Sequence, residues 1–98
     1  MNKRDHTLFH FQLYIAGDTV NSALAQVNLK SLCQTHLKDR HLIEVVDVLR
    51  EPERALADGI FMTPTLIKLT PFPPRKIFGT LSQTQTVLLA LGLETVPL

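Results

Sequence analysis

Cys33 is the residue in this sequence best suited to covalent chemistry. In thioredoxin-type enzymes a thiolate at a helix N-terminus attacks a disulfide, and a second cysteine two residues further on resolves the product. This chain has no second cysteine, and the apolar spacing around Cys33 places it well inside a helix, on the buried side. Burial raises the pKa of a thiol, so we expect Cys33 to pack in the core. A redox or thiol-binding protein that uses Cys33 is the alternative function.

The other polar residues do not form a pattern typical of an enzyme. The four histidines lack the spacing of a zinc site, and the four glycines are too dispersed to form a phosphate-binding loop. Glu51 and Glu53 are two positions apart and would point in different directions on a helix, where they favour its N-terminal end. We therefore predict no catalytic residue, no metal site and no cofactor.

Composition limits the function classes further. The 98 residues are 45% hydrophobic and 19% charged, with a formal net charge of +1, so we expect residues 1–98 to form a single domain. The basic residues are interleaved with nearly as many acids, unlike the basic stripe of a nucleic-acid-binding protein. The apolar stretches are far shorter than the roughly 20 residues of a membrane-spanning helix. From the charge pattern and the short apolar stretches we expect neither nucleic-acid nor membrane binding. One cysteine and no secretory apolar region predict a cytoplasmic protein.

The elements that would position a site begin with a strand, a long helix and a second strand. Residues 9–15 alternate between apolar and polar side chains, which is the period of a strand. Apolar residues at helical spacing predict a helix over residues 19–38, with Asp18 or Thr19 as its N-cap. Residues 42–49 are nearly all apolar and rich in β-branched side chains, which predicts a strand covered on both faces.

The second half predicts a short helix, a hairpin and a final helix. Pro52 and its flanking acids favour a helix over residues 51–58. Short strands are predicted at residues 66–69 and 76–78, joined by a proline-rich loop. Ser82 and Gln85 match a capping box ahead of a helix that ends at Gly92. The resulting order, βαβαββα, is that of the thioredoxin fold, an α/β fold.

Prolines and one glycine are expected to determine the fold of this half. The Thr63-Pro64 bond precedes a predicted strand, the place where thioredoxin-like folds carry a cis peptide, and an ordinary trans bond is the alternative. Gly79 can take a positive φ where the chain turns. The residues predicted to determine the fold are Pro64, Pro71, Pro73, Pro74 and Gly79.

Several motifs resemble the KaiB family of small thioredoxin-related proteins. The matches include Leu13-Tyr14-x-Ala16-Gly17, Asp47-Val48-Leu49 and Thr63-Pro64-Thr65-Leu66, within a gap-free similarity over residues 13–93. The resemblance implies a protein without chemistry of its own that binds and modulates the KaiC ATPase ring. It also implies competition with, or sequestration of, a SasA-like histidine kinase or KaiA. A kinase sensor domain shares this fold but normally continues into catalytic domains.

The resemblance further implies two arrangements of one chain. In the resting form, a dimer or tetramer, the C-terminal half is rearranged to βαββααβ, and this is the form expected in crystals. The partner-bound monomer has the thioredoxin-like order, and the N-terminal βαβ unit is common to both. Such arrangements coexist when they differ by only a few kcal/mol, so that a partner selects one of them.

The chain also departs from the family pattern. Where typical clock members read Gly-Asp-Leu-Ser-Asp, this chain has Gly79-Thr80-Leu81-Ser82-Gln83, without the two acids. The departure favours a relative in a simpler timer or in stress adaptation, with a circadian clock as the alternative. The residues predicted to contact a partner are Arg50, Glu53, Arg54, Asp58, Arg75 and Lys76. Solvated surface charges are the alternative interpretation for each of them.

Overall fold

The computed structural model describes residues 7–93, which fold as a four-stranded mixed sheet with three helices. The elements are β1 (Phe9–Ile15), α1 (Val20–His36), β2 (His41–Asp47), α2 (Pro52–Ala57), β3 (Thr65–Thr70), β4 (Arg75–Phe78) and α3 (Thr84–Leu91). This βαβαββα order confirms the predicted thioredoxin-like arrangement. The βαββααβ arrangement stays a prediction.

The sheet has the strand order β2-β1-β3-β4. β1 is central and pairs in parallel with β2 and antiparallel with β3, so that Leu13 lies between Val45 and Leu66. β4 adds antiparallel to β3 at the far edge. Parallel neighbours need a crossover connection, and α1 provides it.

Helices cover both faces of the sheet. The larger hydrophobic cluster joins alternate residues of β1, including Phe11 and Leu13, to α1 and α3. A smaller cluster beneath α2 consists of Tyr14, Val46 and Ala55 with Ile60 from the following loop. This division follows from the pleat of β1, whose successive side chains point to opposite faces. No helix within residues 7–93 is long and apolar enough to cross a membrane.

The prediction that the second strand is covered on both faces is wrong. Only Val46 of β2 is buried, whereas Val45 is exposed and Leu42 has an exposed fraction of 54%. β2 lies at the edge of the sheet, beyond the reach of full helix cover. Leu42 and Val45 therefore form part of the protein surface.

Three helix-end features were predicted for α1 and α3, and two of them are present in the structure. Thr19 is the N-cap of α1, and its hydroxyl accepts from the Ser22 N–H at 3.4 Å, while Gly92 ends α3 with a φ of 78°. The predicted capping box is wrong, because Gln83 is the N-cap of α3 and makes no side-chain cap bond. The Ser82 hydroxyl instead accepts from the Thr80 hydroxyl at 3.2 Å.

The proline-rich connection has the predicted hairpin form. It joins β3 to β4 and contains cis peptides at Thr70-Pro71 and Phe72-Pro73. A third cis peptide, Thr63-Pro64, precedes β3. Gly79 follows β4 with a φ of 101°, in the region that favours glycine, as expected.

Candidate partner-binding surface

The junction of β1 and α1, where a thioredoxin-type enzyme holds its thiolate, carries hydroxyl groups in this chain. The buried Ser22 hydroxyl accepts from the Ala16 N–H at 3.0 Å and from the Thr19 hydroxyl at 2.7 Å. These bonds tie the first strand to the start of the first helix. The Ser22 hydroxyl therefore has a structural role.

Cys33 lies in the larger hydrophobic cluster, as the sequence predicted. It is fully buried, and burial raises the pKa of its thiol to about 11. The thiol is therefore protonated and inaccessible at neutral pH. Within residues 7–93, no group of three or more His, Cys, Asp or Glu residues could hold a metal ion.

An ion-pair network holds α2 against the sheet. Arg54 donates from Nη2 to Glu44 Oε1 at 2.6 Å, and Gln12 donates from Nε2 to the same oxygen at 3.1 Å. Arg54 Nη1 also lies 3.5 Å from Glu51 Oε1. The hydrogen bond from Arg54 lowers the pKa of the Glu44 carboxyl, and the same bond raises the pKa of the Arg54 guanidinium. Arg54 is therefore bound within the chain as well as predicted to contact a partner.

A second polar contact closes the C-terminal end of α2. The Tyr14 hydroxyl, on a fully buried ring, donates to the Asp58 carboxylate. Burial, and then the hydrogen bond to Asp58, raise the pKa of Tyr14 to about 12. Of the four contact residues predicted around α2, Arg50, Glu53 and Asp58 are exposed and Arg54 is half-buried. Arg54 and Asp58 make side-chain hydrogen bonds within the chain.

Sequence reasoning missed an exposed apolar group around α2. The exposed fractions are 71% for Leu49, 72% for Leu56, 89% for Phe61 and 55% for Met62. These residues lie on α2 or in its flanking loops, at the end of the sheet where β1 and β2 finish and β3 begins. We call them, together with Arg50 and Glu53, the α2 surface. The sequence signal that could have indicated this surface is the presence of apolar residues in short loops, such as Phe61 and Met62 close to Gly59.

The frame beneath the α2 surface is fixed by one carboxylate. Asp47 Oδ1 accepts from the Leu49 N–H at 2.9 Å and from the Gly17 N–H at 3.1 Å, joining the two loops. Asp47 Oδ2 lies 3.9 Å from Nε of Arg50, whose side chain is 86% exposed. Two members of the α2 surface, Phe61 and Met62, also line a pocket of about 210 Å³ with Val48, Ile60 and Thr63.

The two basic residues of β4 lie on opposite faces of the sheet. In the β3–β4 register Arg75 is opposite Lys68 and Lys76 is opposite Ile67. Arg75 therefore shares the face covered by α1 and α3, whereas Lys76 shares the face covered by α2. Both are exposed. The structure does not gather the six predicted contact residues into one cluster.

Solved structures similar to this one define its fold class. Chloroplastic thioredoxin z has a TM-score of 0.73 and 16% identity, covering 88% of this chain and 78% of that chain. The N-terminal domain of Synechococcus elongatus SasA has a TM-score of 0.67 and 15% identity, covering 100% of this chain and 96% of that chain. At such identities the likeness shows the fold alone. This is a thioredoxin-like α/β protein.

Sequence comparison gives the family. The KaiB domain profile matches residues 12–93. Circadian clock protein KaiB3 of Synechocystis sp. is 45% identical over 86 residues, which cover 88% of this chain and 82% of the relative. The chain belongs to the KaiB family.

Proposed function

We propose that this protein is a non-enzymatic regulatory subunit that binds a KaiC-type ATPase ring and modulates its activity or phosphorylation state. KaiB family membership supports the proposal, and the observation that carries it is the α2 surface, where apolar side chains are exposed beside charged ones. The setting is a circadian clock, a simpler timer or a stress-adaptation system. KaiA or a SasA-like histidine kinase would compete for, or be sequestered by, the complex.

The α2 surface has the anatomy of a docking site. Phe61 and Leu56 offer the large apolar contacts that supply most of the energy in an interface, and Arg50 and Glu53 offer a polar rim. The bonds from Asp47 and Arg54 hold the surrounding loops and helix in place. A frame fixed before binding lowers the entropy cost of association.

Arg75 and Lys76 would contribute charge complementarity at a second contact. Both side chains are exposed on β4, so reversing their charges should leave the core intact. We expect the double reversal to weaken binding to the ring, chiefly by slowing association. Unchanged affinity would remove both residues from the interface.

The proposal includes a resting homo-oligomer, a dimer or tetramer, in the βαββααβ arrangement. The monomer with the thioredoxin-like order is then the form that the ring selects. A partner shifts such an equilibrium only by its difference in affinity for the two forms.

Binding can be tested with a pair of matched double variants. Leu56→Ser with Phe61→Ser removes two apolar contacts from the α2 surface, and Val20→Ser with Val27→Ser removes two exposed apolar residues from α1 as the control. The first should lower affinity for a KaiC-type ATPase with ATP at least about tenfold, and the second should leave it near wild type. Co-elution and titration are the measurements. Equal affinities of the two double variants would refute the assignment of the α2 surface.

A further inference from the structure

Lys68 is a largely buried lysine for which residues 7–93 provide no counter-ion. Its exposed fraction is 4%, and it lies opposite Phe11 in the β1–β3 register, so it points to the face covered by α1 and α3. Its ammonium nitrogen is 5.7 Å from the centre of the Phe9 ring. Within residues 7–93, Lys68 has neither a hydrogen-bond acceptor nor an ion-pair partner.

The Phe9 ring offsets only part of the cost of burying this charge. A cation over a ring gains a modest amount of energy, and the Arg40 guanidinium lies 5.9 Å from the centre of the same ring. Burial, and then the neighbouring Arg75, lower the pKa of the Lys68 ammonium. No side-chain nitrogen or oxygen that is itself buried lacks a hydrogen-bond partner among the described residues, so the Lys68 ammonium, which has none, reaches solvent at its tip while its stem is buried. The ammonium is therefore open to an anionic ligand.

Lys68 opens onto a pocket. The space measures about 360 Å³, within the range of small-molecule sites, and its lining consists of Lys68, Pro73, Arg75, Leu89, Ala90, Leu91 and Gly92. Arg75 lies beside Lys68 on the strand wall, and among the described residues its side chain makes one long hydrogen bond, at 3.5 Å, to the carbonyl of the adjacent Pro74. Two cations thus share one side of the pocket.

The opposite wall is the last turn of α3. Carbonyl groups at a helix C-terminus carry partial negative charge, so this wall repels a second anionic group. Leu89 and Pro73 add apolar surface between the two walls. The arrangement suits a molecule with a single anionic group directed at the strand wall.

We propose that this pocket binds the oxyanion group of a small molecule, either a phosphate or a carboxylate. Lys68 supplies an ammonium and Arg75 a guanidinium fork, the two groups that proteins use for oxyanions. The walls come from β3, β4 and α3, so an anion bound there stabilises this arrangement of the C-terminal half by mass action.

The test is an anion titration of the protein alone, at constant ionic strength, followed through the NMR amide shifts of residues 89–92. Inorganic phosphate and acetate are the two probes, and the tighter one identifies the source of the oxyanion. Lys68→Met removes the buried cation, while Lys76→Met makes the same charge change on the opposite face of the adjacent strand. Wild type and Lys76→Met should show saturating shifts, and Lys68→Met should bind about tenfold more weakly or worse.

Folding of the variant is a second readout. Replacing an unpaired buried charge by an apolar side chain of similar volume is often neutral or stabilising, so Lys68→Met should have an unchanged or higher Tm. If Lys68→Met unfolds, the comparison is repeated at an exposed position with Arg75→Gln and its control Lys76→Gln. Arg75→Gln should then bind the anion about tenfold more weakly than Lys76→Gln. Equal binding by the members of a pair, or shifts of wild type that do not saturate by about 50 mM of either anion, would overturn the proposal and indicate an adventitious ion only.

Because no ATPase is present, the result does not depend on binding to the ring. The pocket belongs to the thioredoxin-like arrangement, so the secondary shifts of residues 65–93 are read in the same samples. If the free chain has the βαββααβ order, saturating anion should convert these residues to the thioredoxin-like order, and a chain that keeps the βαββααβ order at about 50 mM anion would also overturn the proposal.

Discussion

At the residue scale, burial decides what the titratable side chains of this protein can do. Cys33 and Tyr14 are both fully buried, and for both burial is the main cause of a raised pKa. The thiol has only apolar neighbours in its cluster, whereas the phenol reaches a carboxylate on Asp58. The first is therefore a packing residue and the second a link between β1 and the end of α2.

Cys33 should be nearly inert in the folded protein. With a pKa of about 11, roughly one thiol in a thousand is ionised near pH 8, and the side chain is also inaccessible. We expect slow labelling by iodoacetamide in buffer and fast labelling in denaturant. Cys33→Ala should lose about 1–3 kcal/mol of stability through packing and keep its affinity for the ATPase ring. Loss of that affinity in a folded variant would favour the thiol-dependent alternative.

Tyr14 should make stability fall at alkaline pH. Its pKa is about 10 when unfolded and about 12 when folded, so its contribution is complete below pH 10 and is lost as pH rises through 12. Tyr14→Phe removes this dependence and also lowers stability at neutral pH by about 1–2 kcal/mol, because Asp58 loses its donor. The sequence has one tyrosine, so tyrosinate absorbance follows this group alone. A midpoint near pH 10 in the native protein would contradict the account.

At the element scale, different interactions hold α1 and α2 in position. α1 carries its own N-cap and a row of apolar residues at helical spacing, including Ala25 and Leu29. α2 has only six residues and no side-chain cap, so its position depends on Arg54, Asp58 and the buried Ala55. Short helices are marginal without tertiary contacts. α2 is accordingly the helix whose placement depends more on the rest of the fold.

The cap of α1 is open to a direct test. Thr19→Ala removes the oxygen that accepts from the Ser22 N–H and should lower the free energy of unfolding by about 1 kcal/mol. Thr35→Ala is the matched control, since Thr35 is exposed within the same helix. Denaturant titration gives both values. Equal losses for the two variants would mean that the Thr19 cap has no measurable effect.

At the scale of the whole molecule, the contacts that join the two halves bear on the proposed change of arrangement. Tyr14 to Asp58 and Glu44 to Arg54 both link the βαβ unit to α2, and Leu66 of β3 pairs with Leu13 of β1. A βαββααβ form would need other partners for the buried side chains in this set. Two such forms can interconvert only if their free energies are close.

The proposed change of arrangement predicts that NMR secondary shifts of the C-terminal half differ between the free and the partner-bound protein, while those of the N-terminal half do not. Without a partner, residues 51–93 should show secondary shifts of the βαββααβ order and the chain should sediment as a dimer or tetramer. With a KaiC-type ATPase and ATP, the same residues should show the thioredoxin-like order, while residues 9–47 stay unchanged in both samples. Identical secondary structure in the two samples would exclude the change of arrangement and leave ring binding to be judged separately.

The amino-acid sequence by itself determined the order of the elements, the burial of Cys33 and the positive φ of Gly79, and it limited the N-cap of α1 to Asp18 or Thr19. These features depend on periodicity or on residues close along the chain, which a sequence displays directly. It also carried the motifs of the KaiB family, which the domain profile over residues 12–93 confirms.

Only the tertiary structure decided which surfaces are available. It placed β2 at an edge, bonded Asp58 to Tyr14 across 44 positions of sequence, and left Phe61 exposed beside α2. It also set Lys68 next to Arg75 in a pocket closed by α3. Strand order and register bring together residues that are distant along the chain, and no local pattern specifies those pairs.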